Sequence, residues 1–379
     1  MIYQDKLGVY CVGDLKFYSK LEAIEHMQRT GVHLHWDFNE AVFCSYDWTK
    51  EPVMSLPELY KRRAQQLREK YDYIILQYSG GADSDNVLQT FVDNDIKIDE
   101  IVSYVNYDAN GNRDHFLNSE FFRAALPRID QLKINCSWIN HRVVDLTDLT
   151  LTTFLDPKNK FDWIYNQNVY MTANCVARAN IAYKIKPWRD LIESGKKICL
   201  LWGADKPRIL HIDGKFRFRF LDMLDLTASS TSGQQSYTDE LFYWTPDLPE
   251  IVIKQAHIIK NYLNTYLTTS PFVTEEKSDL AFKMHQGKKL WLNNHGVHTL
   301  LYPKWNIATF SAGKTPSLVY SARDDWFWGL EQPNQSKHIW EMGINKIWNT
   351  ISDYWKNDPQ DISKGLVGCW GKDYFLEKL

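Results

Sequence analysis

The feature that most limits how this chain can fold is the stretch at residues 71–91, YDYIILQYSGGADSDNVLQTF. Residues 73–78, YIILQY, are apolar along most of their length, as in a parallel strand covered by helices on both faces. Ser79-Gly80-Gly81-Ala82-Asp83-Ser84 follows at once. Val87, Leu88, Phe91 and Val92 then recur on one side of a helix that begins at about Ser84. A strand that ends in glycines and opens into a helix predicts an open α/β sheet, whose ligands bind beyond the carboxyl ends of its strands.

The residue types in the turn narrow the ligand. Glycines let backbone approach an anion closely and take positive φ. Successive N–H groups form a nest, and the new helix aims its positive end at the same point. Ser79 and Ser84 add hydroxyl donors. Asp83 alone would repel phosphate, so its place in the turn calls for Mg²⁺ bridging carboxylate and phosphate. The turn reads as a magnesium–nucleotide or pyrophosphate site. The plainer alternative is a strand–helix turn with a serine cap, and the agreement of strand, turn and helix favours the ligand. A carboxylate in a surface turn rarely carries much stability, so Asp83→Asn is expected to leave the fold intact.

The surrounding pattern predicts a parallel sheet wound with helices. SLPELYKRRAQQLREKY (55–71) is a helix with a Ser55/Glu58 capping box. Its Leu56, Leu59, Tyr60, Leu67 and Tyr71 form one face, and its Lys and Arg residues point outward. EIVSYVNY (100–107), SWINHRVV (137–144) and KKICLLWGAD (196–205) are further buried strands, with helices at 115–129 and across 160–195. RILHIDGKFRFRF (208–220) is a hairpin turning at Asp213-Gly214. DLTASSTSGQQSYTD (225–239) reads as a long polar loop, of the kind that often forms a lid. Residues 1–54 form a small α+β cap: a hairpin at 7–18, a helix from Ser19 to Gly31, and short strands in VHLHWDF and AVFCSYDW. Residues 55–245 form the wound-sheet domain. Residues 246–379 are a mainly helical, Trp-rich region expected to complete the substrate cleft.

Composition excludes several classes. A net charge of −3 over 379 residues is no strongly basic nucleic-acid binder. No apolar run is long enough to span a bilayer, and the N-terminus lacks the layout of a signal peptide. The six cysteines lie far apart and form no C-x-x-C, which reads as reduced thiols in a cytoplasmic protein.

Ser79-Gly80-Gly81-Ala82-Asp83-Ser84 resembles the PP-loop, S-G-G-x-D-S, of the N-type ATP pyrophosphatases. That superfamily includes asparagine synthetase, β-lactam synthetase, GMP synthetase, argininosuccinate synthetase and tRNA thiolation enzymes. The resemblance covers residues 71–110. It implies an adenine nucleotide alpha-hydrolase-like fold, with ATP and Mg²⁺ as cofactors. It also implies that a substrate oxygen attacks the α-phosphate, releasing pyrophosphate, and that a nucleophile then resolves the adenylate. Tyr78, Ser79, Gly80, Gly81, Asp83 and Ser84 would hold the nucleotide. Leu201-Trp202-Gly203-Ala204-Asp205-Lys206 is similar to the G-E-G-A-D-E loop of the asparagine-synthetase branch. By that similarity Gly203 borders the nucleotide, and Asp205 joins Asp83 as a metal ligand. Trp202 and Lys206 stand where the branch has glutamates, so the acceptor chemistry differs from asparagine synthesis. Ile2 follows Met1, and about 70 residues before the loop are too few for a glutaminase domain.

Lys206 and Arg208 lie beside the second loop and could neutralise the phosphates or charge developing during transfer. Lys215, Arg217 and Arg219 share one face of KFRFRF, a surface for an anionic acceptor such as tRNA or a nucleotide, or simply a solvated face. The predicted acceptor is a small molecule, a nucleotide or tRNA, with no membrane partner, and a homodimer is compatible with this reading. Two other readings are carried: a sulfonucleotide reductase-like enzyme, in which Cys369 would be catalytic, and a non-catalytic nucleotide-binding module. Ser311–Thr315 has the end of a Walker A loop but Ala308 where its first glycine belongs, and is set aside.

Overall fold

The computed structural model describes residues 5–107, 112, 118–156, 162–166, 172–204, 206–212, 214–222, 237–269, 282–285, 289–292, 294–305, 325–330, 334–351 and 369–378. The strands in chain order are β1 (Val9–Val12), β2 (Leu15–Phe17), β3 (Leu34–Asp37), β4 (Tyr73–Gln77), β5 (Glu100–Val105), β6 (His141–Asp145), β7 (Ile198–Trp202), β8 (Ile209–Ile212), β9 (Lys215–Leu221), β10 (Tyr237–Leu241), β11 (Phe282–His285), β12 (Lys289–Leu292) and β13 (Trp370–Phe375).

The centre is a five-stranded, all-parallel sheet in the order β10-β7-β4-β5-β6. The chain runs outward from β4 through β5 to β6, then returns to the other side of β4 for β7 and β10. The winding therefore reverses between β4 and β7. In open sheets the crevice outside the carboxyl ends of two such strands is where ligands bind. Both faces are covered, as the continuous apolar strands require. Ile75, Val102, Ile198 and Leu200 pack against Trp188 and Ile181 on one side. Ile74, Leu76, Ile101 and Leu201 join the main core with Leu59, Val87, Leu88 and Phe91 on the other.

The helix Leu56–Lys70 closes its capping box, with the Ser55 N–H donating to Glu58 Oε2 at 2.8 Å. Its apolar face is buried as the spacing predicts. Arg63 departs from the pattern. It does not face outward but lies in line with Leu59 and Leu67, 1% exposed, and donates to Glu240 (2.8 Å) and the Leu241 carbonyl (3.1 Å). The helix after the turn starts at Ala82 rather than Ser84.

The N-terminal segment forms an antiparallel sheet, β2-β1-β3, under the helix Lys20–Thr30. Ser19 caps that helix and Gly31 ends it at φ 70°. The strand expected within 41–48 is instead the short helix Glu40–Phe43. The Asp37 carboxylate accepts from the Glu40 N–H at 2.8 Å and starts a helical turn there.

The C-terminal region is less separate than its helical pattern suggests. It holds the helices Glu250–Thr269, Asn294–Leu301, Asp325–Trp328 and Gln335–Ile351, but also three strands of a second sheet, β11-β12-β8-β9-β13. The alternation in β9 holds: Phe216, Phe218 and Phe220 are at most 3% exposed. Phe218 and Phe220 pack with Trp48, Trp244 and Tyr374. On the other face Arg217 and Arg219, two of the three cations of the basic strip considered for an anionic acceptor, both pair with Asp373 of β13. The polar stretch 225–239 ends in β10, a strand its Thr238, Asp239 and Glu240 conceal. Residues 223–236 and 311–315 lie outside the described residues. Among the described residues no helix is long and apolar enough to cross a membrane.

Candidate nucleotide site

The turn after β4 brings a left-handed glycine and a helix start together. Gly80 has φ 80°, and a β-carbon there would stand 2.6 Å from the backbone nitrogen of Ala125. Only glycine combines that conformation with that approach. Ala125 closes the π-helical turn Phe121–Ala125, an irregularity common at functional sites. Gly81 is the N-cap of the helix Ala82–Asp93, with no side chain capping it. The first N–H groups of that helix thus point beyond its end, where the dipole favours negative charge. Ser79 Oγ accepts from the Gly81 N–H at 3.2 Å and lies 3.5 Å from Ser84 Oγ, while Ser84 Oγ donates to the Gly81 carbonyl at 3.1 Å. These bonds hold the turn in shape.

Tyr78 serves the scaffold. Its N–H donates to Val102 and its carbonyl accepts from Ser103 Oγ. Its phenol donates to Asp85 at 3.0 Å, and Asp85 also pairs with Arg128.

The second loop lies against the first. β7 ends beside β4, and a β-carbon on Gly203 would stand 2.9 Å from the Asp83 carbonyl oxygen and 2.9 Å from the Ser84 Cα. Lys206, 6% exposed, places its Nζ 3.0 and 2.8 Å from the two Asp83 carboxylate oxygens. Asp205, expected beside Asp83, lies outside the described residues. Arg208 is exposed, two positions beyond Lys206.

Residues remote in sequence complete the surroundings. Tyr302 donates its hydroxyl to Asp83 Oδ1 at 2.5 Å, and His298 Nε2 lies 3.7 Å from the same oxygen. Tyr243 donates to the Asp83 carbonyl (2.9 Å) and accepts from Asn86 Nδ2 (2.9 Å). Burial, reinforced by the Asp83 charge, pushes the Tyr302 phenol well above its usual range, so it stays a donor. Glu120, 6% exposed, brings Oε1 to 3.8 Å from where a Gly81 β-carbon would lie. None of these carries a local motif; only the chain's return over 200 residues brings Tyr302 to Asp83.

The fit to a magnesium nucleotide divides in two. Glycine turn, uncapped helix start and serine hydroxyls suit the phosphates. Among the described residues no group of three or more His, Cys, Asp or Glu gathers as a metal cage. Mg²⁺ on a nucleotide needs only one or two carboxylates beside phosphate and water, and the 18%-exposed Asp83 carboxylate would serve only after Lys206 leaves its two oxygens.

Cys369 lies elsewhere, in a buried group with Asp222, Lys20 and Tyr10 on the second sheet and the N-terminal segment. Burial pushes its thiol up to about 11, the reverse of what a nucleophilic cysteine needs. No protein-family model, no curated protein and no solved structure matches this chain.

Proposed function

We propose that the chain is an ATP-dependent adenylating enzyme with an adenine nucleotide alpha-hydrolase-like fold, acting in the manner of the N-type ATP pyrophosphatases. The observation that carries this is the meeting of two strand-end loops at the switch point of the sheet. There Gly203 packs on Asp83 and Ser84, and Lys206 reaches Asp83. In this reading the backbone of 80–84 and the Ser79 and Ser84 hydroxyls hold the β- and γ-phosphates. Asp83, with Asp205, would hold Mg²⁺, which offsets phosphate charge when bound. Lys206 and Arg208 supply further positive charge. A carboxylate or amide oxygen of the acceptor attacks the α-phosphorus and pyrophosphate leaves. A nitrogen nucleophile then displaces AMP to give an amide or amidine. An enzyme of this kind works where ATP is abundant, in the cytoplasm.

A second reading, a non-catalytic nucleotide-binding module, draws support from Trp202. Its indole donates to Asp239 at 2.8 Å where the related loop carries a glutamate. One experiment separates the two. The protein is incubated with ATP, Mg²⁺ and a panel of carboxylic acids, amides and amines. AMP and pyrophosphate in equal amounts are expected with the right acceptor. ADP and phosphate would refute the adenylation reading, and nucleotide binding without turnover across the panel would favour the binding module.

A further inference from the structure

We infer that Lys206 occupies the place of the metal at Asp83 until a nucleotide arrives, so that the site excludes a divalent cation alone and admits it together with phosphates. The inference rests on the nucleotide reading above and extends it to the order in which the ligands bind. The ammonium of Lys206 straddles the Asp83 carboxylate, 3.0 Å from one oxygen and 2.8 Å from the other. Tyr302 adds a hydroxyl at 2.5 Å to Oδ1. The Lys206 side chain is 7% exposed and that of Asp83 18%. A buried ammonium and carboxylate persist because each neutralises the other.

Mg²⁺ binds carboxylate oxygen directly, at about 2.0–2.1 Å, and sheds water reluctantly. It cannot take those oxygens while an ammonium sits across both of them, since the two cations would then stand a few ångströms apart at low dielectric. The metal must displace Lys206, and moving a nearly buried ammonium off the carboxylate that neutralises it is costly. Phosphates in the adjoining cradle remove that cost. Lys206 sits beyond Gly203, whose backbone touches the first turn of the phosphate-facing helix. A rotation of the lysine side chain would carry its charge from Asp83 to a phosphate oxygen. Metal and nucleotide then bind with positive coupling, each raising the affinity of the other by the same factor. The unusual lysine at position 206 becomes a device that keeps the acid of the turn neutral between turnovers.

The test is binding of Mn²⁺ alone, read by its electron paramagnetic resonance signal, in the full chain without nucleotide. Lys206→Met is expected to bind Mn²⁺ at least about tenfold more tightly than the wild type, a difference of about 1.4 kcal/mol. ATP should then strengthen Mn²⁺ binding less in the variant than in the wild type. Lys206→Gln, which keeps a donor without the charge, should show the same direction and serves if the methionine variant does not fold. Adding Asp83→Asn to either should abolish the gain. Unchanged or weaker Mn²⁺ binding in both lysine variants, or no detectable binding at millimolar metal, overturns the exchange. If that happens while AMP and pyrophosphate still form, the adenylation reading stands. If metal binding rises but neither ATP nor pyrophosphate binds, Lys206 still bars the metal from Asp83, but the exchange with phosphate and the adenylation reading both fall.

Discussion

Gly203 lies against the backbone of Asp83 and Ser84, with room for a hydrogen but not for a methyl group. This contact sets the separation of the two strand-end loops. The neighbouring atoms are backbone in the first turn of a helix and cannot swing aside. Gly203→Ala is therefore expected to push the loops apart, at a cost of about 1–3 kcal/mol for overpacking. Pyrophosphate binding by calorimetry should fall more than the melting temperature suggests. Unchanged binding would mean that the contact does not shape the ligand site.

Gly80 and Gly195 share φ 80°, but their surroundings differ. A β-carbon at Gly80 would meet the Ala125 backbone nitrogen at 2.6 Å, whereas nothing lies within 4 Å of one at Gly195. Gly195→Ala should cost about 1–2 kcal/mol, the backbone strain alone. Gly80→Ala should cost that plus a clash with the π-helical turn, a further 1–3 kcal/mol or so. Urea denaturation of both variants isolates the packing part by difference. Equal losses would show that the Ala125 contact yields without cost.

These glycines show what could be read from the chain in advance. The strand, turn and helix across Tyr73–Asp93 announce themselves because they are contiguous, so local pattern is enough. The β9 alternation was legible for the same reason: period two survives in any sheet. β10 was not, because Asp239 and Glu240 are satisfied by Trp202, Arg63, Lys6 and Lys70, partners that only tertiary folding supplies. Arg63, which the helical pattern places outward, is buried on the other side of the same network. Tyr302 carries no signal at all, and His298, which with His295 has only the spacing of a weak metal pair, reads as a structural histidine, because the helix that brings them to Asp83 says nothing of what lies across the cleft.

Asp239 and Glu240 are neighbours on β10 with opposite shifts. Burial raises Asp239 from 3.8 to about 7, with the Glu240 charge adding and the Trp202 bond only partly offsetting. Burial would also raise Glu240, but the charges of Arg63 and Lys6 and bonds from Lys70 and Tyr71 hold it at about 2. The signs follow from proton linkage. A raised carboxyl binds its proton in the folded state, so the Asp239 contribution is present below pH 3.8 and is lost as pH rises through about 7. A depressed carboxyl contributes above its unfolded value of 4.5, and that part is lost as pH falls toward 2. Asp239→Asn should therefore gain on the wild type as pH rises from about 4 to 8. Glu240→Gln should lose about 3–5 kcal/mol at pH 7, since it strips Arg63 of its buried partner, and the deficit should shrink toward pH 2. Denaturation of both variants across this range checks it, and parallel pH profiles for variant and wild type would contradict the shifts.

The last expectation concerns Asp83 itself. Taken as a surface-turn carboxylate, it should be replaceable without harm to the fold. The structure reverses that, because Asp83 is the counter-charge of the nearly buried Lys206. Asp83→Asn leaves an ammonium facing a neutral amide, and Lys206→Met leaves a carboxylate with Tyr302 and His298 but without the lysine. Each single variant should lose stability, up to about 3–5 kcal/mol if the remaining charge cannot reach water. Removing both leaves no stranded charge, so the double variant should be less damaged than the sum, with a coupling of about 0.5–3 kcal/mol. A double-mutant cycle by urea denaturation measures that coupling directly. A coupling near zero would mean that the pair is not an energetic unit in the folded protein. Loss of turnover in Asp83→Asn could then be assigned to ligand binding without a correction for stability. A coupling in the expected range makes Asp83→Asn a poor probe of catalysis by itself, and the comparison that reports on the ligand becomes Lys206→Met against the double variant.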